Sequence, residues 1–102
     1  HINKVSVLMA NNQLDRYEKP AAVLVQELEG EAVLLNLANE LYFGLDEVGY
    51  RMYTLITTSS SLDAAYQALL QEYDVEPDQL HADFQKLVAE LIASGLIARV
   101  EA

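Results

Sequence analysis

Apolar and polar residues alternate in short blocks as far as residue 45 and then recur at helical spacing. Three of the short blocks predict β-strands, at Ala22–Glu27, Ala32–Leu37 and Leu41–Leu45. Turns are predicted between them at residues 28–31, where Gly30 can take a positive φ, and at residues 38–40. The second strand is apolar on both faces, which predicts a central strand that is covered on each side.

Three helices are predicted after the strands, and each has its own boundary signals. Asp46 stands at the N-cap position of the first helix, and Ser60 with Asp63 forms a capping-box pair for the second. Pro77 fits the first position of the third helix, which Gly95 ends. The order predicts an α+β fold, a three-stranded antiparallel sheet followed by three helices.

The N-terminal segment lacks a clear period. Residues 1–21 are therefore predicted to form an N-terminal arm, with a short strand at Val5–Met9, and residues 22–102 to form the domain proper. The apolar residues of the arm can cover a sheet edge or pair with a second copy in a homodimer. The sequence does not choose between these two.

Composition narrows the class of protein. The 102 residues are 52% hydrophobic, enough for one compact domain, and no apolar run approaches the roughly 20 residues of a membrane span. The chain contains no cysteine, which excludes disulfides and thiolate chemistry and favours a cytoplasmic protein.

The charge distribution argues against a nucleic-acid-binding protein. The net charge is −10, with 6 Lys and Arg residues in total. A winged-helix DNA reader would insert its third helix, but that helix carries Asp78, Asp83 and Glu90 against one Lys86. Acidic side chains there would repel phosphate, so a DNA-binding regulator stays the weaker alternative.

Catalytic and metal-binding patterns are also weak. Of the two histidines, His1 begins the chain and His81 lies among acids on the third helix. Asp78 and His81 are three residues apart, but acids in a first helical turn are explained by the helix dipole. No nucleophile with a base, no phosphate-binding glycine motif and no cofactor site is predicted.

The third strand is the feature that points to a function. It comes last in the meander and so is predicted at the sheet edge, without the Lys, Pro or inward charge that protects such edges. An exposed edge can receive an extended peptide as an added strand. The apolar side chains of the third helix are predicted to form the wall of the groove beside it: Phe84, Leu87, Val88 and Leu91.

The same residues resemble the PqqD-like family, which includes recognition elements for ribosomally made, post-translationally modified peptides. The resemblance covers about Val23 to Arg99. Its most specific segments are Gly30–Leu37, Tyr42–Leu45, Gly49, Tyr73–Val75 and Gly95–Ile97.

The resemblance implies a winged-helix-like domain without catalytic activity that binds the leader of a precursor peptide as an added strand. It implies delivery of that peptide to a partner, either a radical SAM enzyme or, in the lasso-peptide branch, a cysteine-protease-like leader peptidase. The positions that it assigns to peptide binding are Leu41, Tyr42, Phe43, Gly44 and Leu45 on the third strand and Asp83, Phe84, Leu87, Val88 and Leu91 on the third helix.

Overall fold

The computed structural model describes residues 13–100, and its elements follow the predicted order. They are β1 (Tyr17–Glu18), β2 (Val23–Leu28), β3 (Glu31–Asn36), β4 (Leu41–Leu45), α1 (Glu47–Thr58), α2 (Leu62–Glu72), α3 (Pro77–Ala93) and β5 (Ala98–Arg99). The predicted α+β class, a three-stranded antiparallel sheet followed by three helices, is confirmed. The predicted strand Val5–Met9 lies outside the described residues.

The main sheet has the order β2-β3-β4, and both pairs of neighbouring strands are antiparallel. β2 and β3 are joined by a two-residue turn in which Glu29 has φ 54° and Gly30 has φ 87°. Positive φ at both turn residues matches the right-handed twist of a hairpin, as expected at Gly30. β4 forms the third strand at the predicted residues.

The central strand β3 is covered on one face only, so the prediction of cover on both sides was wrong. Ala32 and Leu34 face the core and are buried, whereas Val33, between them, is 45% exposed. The helices contribute their buried side chains to the core on the inner face of the sheet. The outer face of the sheet therefore carries apolar side chains in solvent.

The helix boundaries follow local capping. The Asp46 carboxylate accepts a 2.7 Å hydrogen bond from the Gly49 amide, which confirms the predicted N-cap of α1. The N-cap of α2 is Ser61 rather than the predicted Ser60, because the Ser61 hydroxyl accepts from the Ala64 amide at 3.0 Å.

Helix α3 begins and ends as predicted. Pro77 occupies its first turn, where no hydrogen-bonded amide is needed. At its end Gly95 adopts φ +68°, and the Leu96 amide donates to the Leu91 carbonyl at 2.9 Å. This left-handed closure directs the chain back across the core, where Leu96 and Ile97 are buried.

Part of the predicted N-terminal arm belongs to the folded unit. β1 pairs with β5 in a separate two-stranded sheet, and Tyr17 of β1 is 5% exposed within the core. The division of the chain at residue 21 stays a prediction. A second tyrosine anchors the C-terminal segment: the Tyr53 hydroxyl donates to the Leu96 carbonyl at 2.8 Å, and burial raises the pKa of Tyr53 to about 12.

Asn36, at the end of β3, ties the β3–β4 turn to the end of α3. It is 5% exposed, and its Nδ2 donates to the Ser94 and Gly95 carbonyls at 3.1 and 3.0 Å. Its Oδ1 accepts from the Ala38 amide at 2.9 Å. One side chain thus holds the base of β4 in a fixed position relative to the C-terminus of α3.

We expect Asn36→Ala to lower the free energy of unfolding by about 1–3 kcal/mol, because it removes three partly buried hydrogen bonds made by a buried side chain. The control is Asn39→Ala, which removes an exposed side chain bonded to the same Ser94 carbonyl at 3.2 Å. This control should cost less than about 1 kcal/mol. Urea unfolding of both variants measures the difference, and equal losses would contradict the anchoring role of Asn36.

Candidate peptide-binding groove

The free edge of β4 follows from the pairing in the sheet. The Leu37 amide donates to the Ala22 carbonyl at 3.0 Å, which shows that odd-numbered residues of β3 bond towards β2 and even-numbered ones towards β4. In β4, Tyr42 and Gly44 lie opposite odd-numbered residues of β3, so their amides and carbonyls are directed away from the sheet. Among residues 13–100, β4 is an edge strand of its sheet, and these groups lie along the side that no described strand pairs with.

A groove of about 510 Å³ lies between this end of the sheet and α3. Buried apolar side chains form its floor, among them Met52, Leu80 and Leu87. Its complete lining comprises Phe43, Gly44, Leu45 and Asp46 at the strand, Val48, Gly49 and Met52 of α1, Tyr73 and Val75 of the linker, and Gln79, Leu80, Asp83, Leu87 and Glu90 of α3. The groove is open, apolar at its base and adjacent to strand backbone that no residue of the described range 13–100 pairs with.

Of the β4 residues predicted to bind peptide, those in the C-terminal half of the strand line the groove. Phe43, Gly44 and Leu45 line the groove. Leu41 and Tyr42 lie beyond its lining and are 50% and 75% exposed.

The predicted residues of α3 fall on two different stripes of the helix. Asp83 and Leu87 line the groove. Phe84, Val88 and Leu91 do not line it and are buried in the core, at 1%, 5% and 0% exposure. They support the groove from beneath instead of forming its surface.

Several lining residues were not assigned from the sequence. Leu80 and Glu90 continue the stripe of Asp83 and Leu87 along α3, at spacings of three and four residues. The exposed apolar residues Val48 and Val75, at 39% and 48%, lie at the mouth of the groove. An apolar residue in the linker before Pro77 is the signal that could have identified this end.

The charged side chains at the groove are acidic. Asp46, Asp83 and Glu90 are exposed at its rim, and no Lys or Arg of the described residues belongs to the lining. Asp46 is engaged by its helix cap, and Asp83 accepts a 2.9 Å hydrogen bond from the Gln79 side-chain amide. An apolar segment with a basic side chain therefore suits this surface better than an acidic one does.

An ion pair positions the linker end of the groove. The Arg51 guanidinium donates from Nε and Nη2 to the Glu72 carboxylate at 2.9 and 2.6 Å. This bidentate pair joins α1 to the last residue of α2, directly before Tyr73 of the lining. The hydrogen bond to Arg51 holds the pKa of Glu72 below its usual value.

Residues 13–100 were also compared with the requirements of a metal site and of a membrane-spanning helix. No group of three or more His, Cys, Asp and Glu side chains in this range is placed to hold a metal ion. His81 packs edge-on against Tyr66, with ring centroids 5.3 Å apart. No helix in the same range is long and apolar enough to cross a membrane.

These features define a small α+β domain with an open strand edge beside an apolar groove, a geometry suited to binding extended peptides. The sequence profile of PqqD, coenzyme PQQ synthesis protein D, matches residues 31–97. The chain belongs to the PqqD family.

Two solved structures share the fold over nearly their whole length. One is TbiB1 in complex with the TbiA(beta) leader peptide, with a TM-score of 0.71 and 27% identity over 83% of this chain and 99% of that one. The other is lasso peptide synthetase B1 complexed with the leader peptide, with a TM-score of 0.69 and 22% identity over 81% and 98%. No curated protein sequence matches the chain significantly.

Proposed function

We propose that this protein binds the leader segment of a ribosomally made precursor peptide as an additional strand on β4, beside α3. The protein itself has no catalytic role in this proposal. It presents the precursor to an enzyme that removes the leader or modifies the peptide. Because precursor peptides are released from ribosomes, the proposal places this protein in the cytoplasm.

The observation that carries the proposal is the outward-directed backbone of Tyr42 and Gly44. Two amides and two carbonyls stand at the spacing of a strand, and the groove begins at the same residues. Main-chain pairing supplies affinity that depends little on sequence, while the groove receives alternate side chains and supplies preference. We expect a dissociation constant between about 1 μM and 10 nM.

The family and the relative with 27% identity, which is a complex with a leader peptide, support the binding of a leader. For the lasso-peptide branch that the family resemblance implies, we propose a cysteine-protease-like leader peptidase as the partner enzyme. A radical SAM enzyme is the partner in the other branch that the family resemblance implies.

The test is a calorimetric titration of the purified protein with the leader of the precursor peptide encoded beside its gene. Saturable binding should perturb the backbone amide signals of Tyr42 and Gly44 in NMR spectra, because these amides acquire hydrogen-bond acceptors. A leader that is N-methylated at those alternate backbone nitrogens that face β4 serves as the control, since it keeps the side chains but cannot complete the pairing.

Two outcomes would reject the proposal. One is the absence of saturable binding. The other is binding that leaves the signals of residues 41–45 unchanged and that the N-methylated leader reproduces. Retention on heparin at moderate salt would instead support a DNA-binding regulator, and a dimer formed through the β4 edge without the leader would support a dimerisation module.

A further inference from the structure

The backbone conformation at Gly44 is one that any residue can adopt, so it does not explain why a glycine is present there. Gly44 lies inside β4 and lacks the positive φ that Gly30 and Gly95 show. The register from Ala32–Leu45 to Asn36–Leu41 is continuous, so there is no bulge at this point of the strand. A glycine inside a regular strand weakens it, and close approach of a ligand is one of the few reasons for its presence.

The space that Gly44 leaves is open. A Cβ built on Gly44 meets no atom within 4 Å. Gly44 is paired with Val33 and Val33 with Gln26, which places all three on the outer face of the sheet. This is the face that the helices do not cover.

A cavity of about 430 Å³ lies at this position, separate from the groove beside α3. Its lining consists of Gln26, Leu28, Glu31, Ala32, Val33, Gly44, Leu45 and Asp46. Leu28 and Val33 are 72% and 45% exposed and supply apolar surface. The cavity and the groove share the segment from Gly44 to Asp46, so one strand laid along β4 would reach both.

Side chains of an added strand point alternately to its two faces, so successive residues would enter the groove beside α3 and the cavity on the outer face of the sheet in turn. A residue paired directly with Gly44 has its side chain on the same face as Gly44, and its two neighbours point towards the groove. We propose that the leader carries a large apolar side chain, aromatic or of leucine size, at the position paired with Gly44, and that this side chain enters the outer cavity beside Val33. This inference rests on the proposed function, and it adds a second subsite that determines specificity.

Two substitutions at Gly44 test the subsite without touching the backbone pairing. Gly44→Ala adds one methyl group into open space and is the first step of a graded series. Gly44→Val is the second step and occupies the part of the cavity beside Val33. Both residues are compatible with a strand, so the melting temperature should stay at or above that of the wild type.

The leader encoded beside the gene is titrated into the wild type and both variants. We expect Gly44→Ala to bind the leader up to about threefold more weakly than the wild type and Gly44→Val to bind it about tenfold more weakly. In an alanine scan of the leader, replacing one large apolar residue should lower the affinity for the wild type. The same replacement should have little effect on the affinity for Gly44→Val. That loss is the coupling that identifies the side chain in the cavity.

The results separate this inference from the function on which it rests. If Gly44→Val binds the leader as tightly as the wild type, the outer subsite is rejected while strand addition stands. If Gly44→Val changes only the oligomeric state, the cavity belongs to a contact between copies and the inference is again rejected. If the wild type does not bind the leader, both proposals fail together.

Discussion

Tyr42→Pro is expected to weaken leader binding by about 100-fold, equivalent to about 2.7 kcal/mol. The amide of Tyr42 is directed to the open side of β4, so proline removes a donor that the bound segment needs and places its ring on the pairing edge. The amide is not part of the ladder with β3. Proline at this point of an edge strand is therefore compatible with the fold.

Two controls separate the loss of the amide from other effects. Tyr42→Ala removes the same ring, which is 75% exposed, but keeps the amide. Val25→Pro makes the equivalent change on β2, whose outward amides lie at the opposite edge of the sheet. Calorimetric titration should find strong loss only for Tyr42→Pro. Equal loss in Tyr42→Ala, or unchanged affinity in Tyr42→Pro, would contradict pairing through this amide.

Phe84→Ala is expected to lower the free energy of unfolding by about 3–5 kcal/mol, the usual cost of deleting a buried aromatic ring. Phe84 is 1% exposed, and its ring packs against Tyr66 with centroids 5.6 Å apart. The cavity left by the substitution cannot be filled by solvent without exposing the surrounding apolar side chains. Urea denaturation monitored by circular dichroism measures the loss.

Asp83, next to Phe84, provides the matched control, because it lies on the stripe of α3 that lines the groove and not on the buried stripe. Asp83→Ala changes an exposed groove residue and should alter stability by less than about 0.5 kcal/mol. It should instead change the affinity for the leader. If Phe84→Ala left stability intact and reduced only binding, Phe84 would belong to the groove surface and the division into stripes would be wrong.

Local signals in the sequence were sufficient for most of the fold. Asp46 and Pro77 begin their helices, and Gly95 ends α3, through interactions with residues within one helical turn. Such contacts depend little on the rest of the molecule. The N-cap of α2 was misplaced by one residue because Ser60 and Ser61 are both suitable cap residues, and only the structure shows that the Ser61 hydroxyl accepts from the Ala64 amide.

The surface of the groove could be predicted only in part, for reasons of tertiary packing. The apolar positions of α3 form one broad stripe, and the sequence does not say how far the helix is rotated about its axis. That rotation buries Phe84, Val88 and Leu91 and directs Leu80 and Leu87 to the groove. The outer face of β3 was misjudged similarly, since apolar residues on both faces indicate a covered strand only where both layers of cover exist.

β4 offers few backbone groups, and these do not by themselves fix the position of a bound segment. With five residues in the strand, only Tyr42 and Gly44 carry outward backbone groups, and a longer segment shifted by two residues still pairs with both. A shift of one residue exchanges the two faces and sends the side chain meant for the groove to the other side of the sheet. The side chains that enter the groove and the outer cavity would therefore select one register of the bound segment. That register would hold each precursor at a constant distance from the enzyme that acts on it.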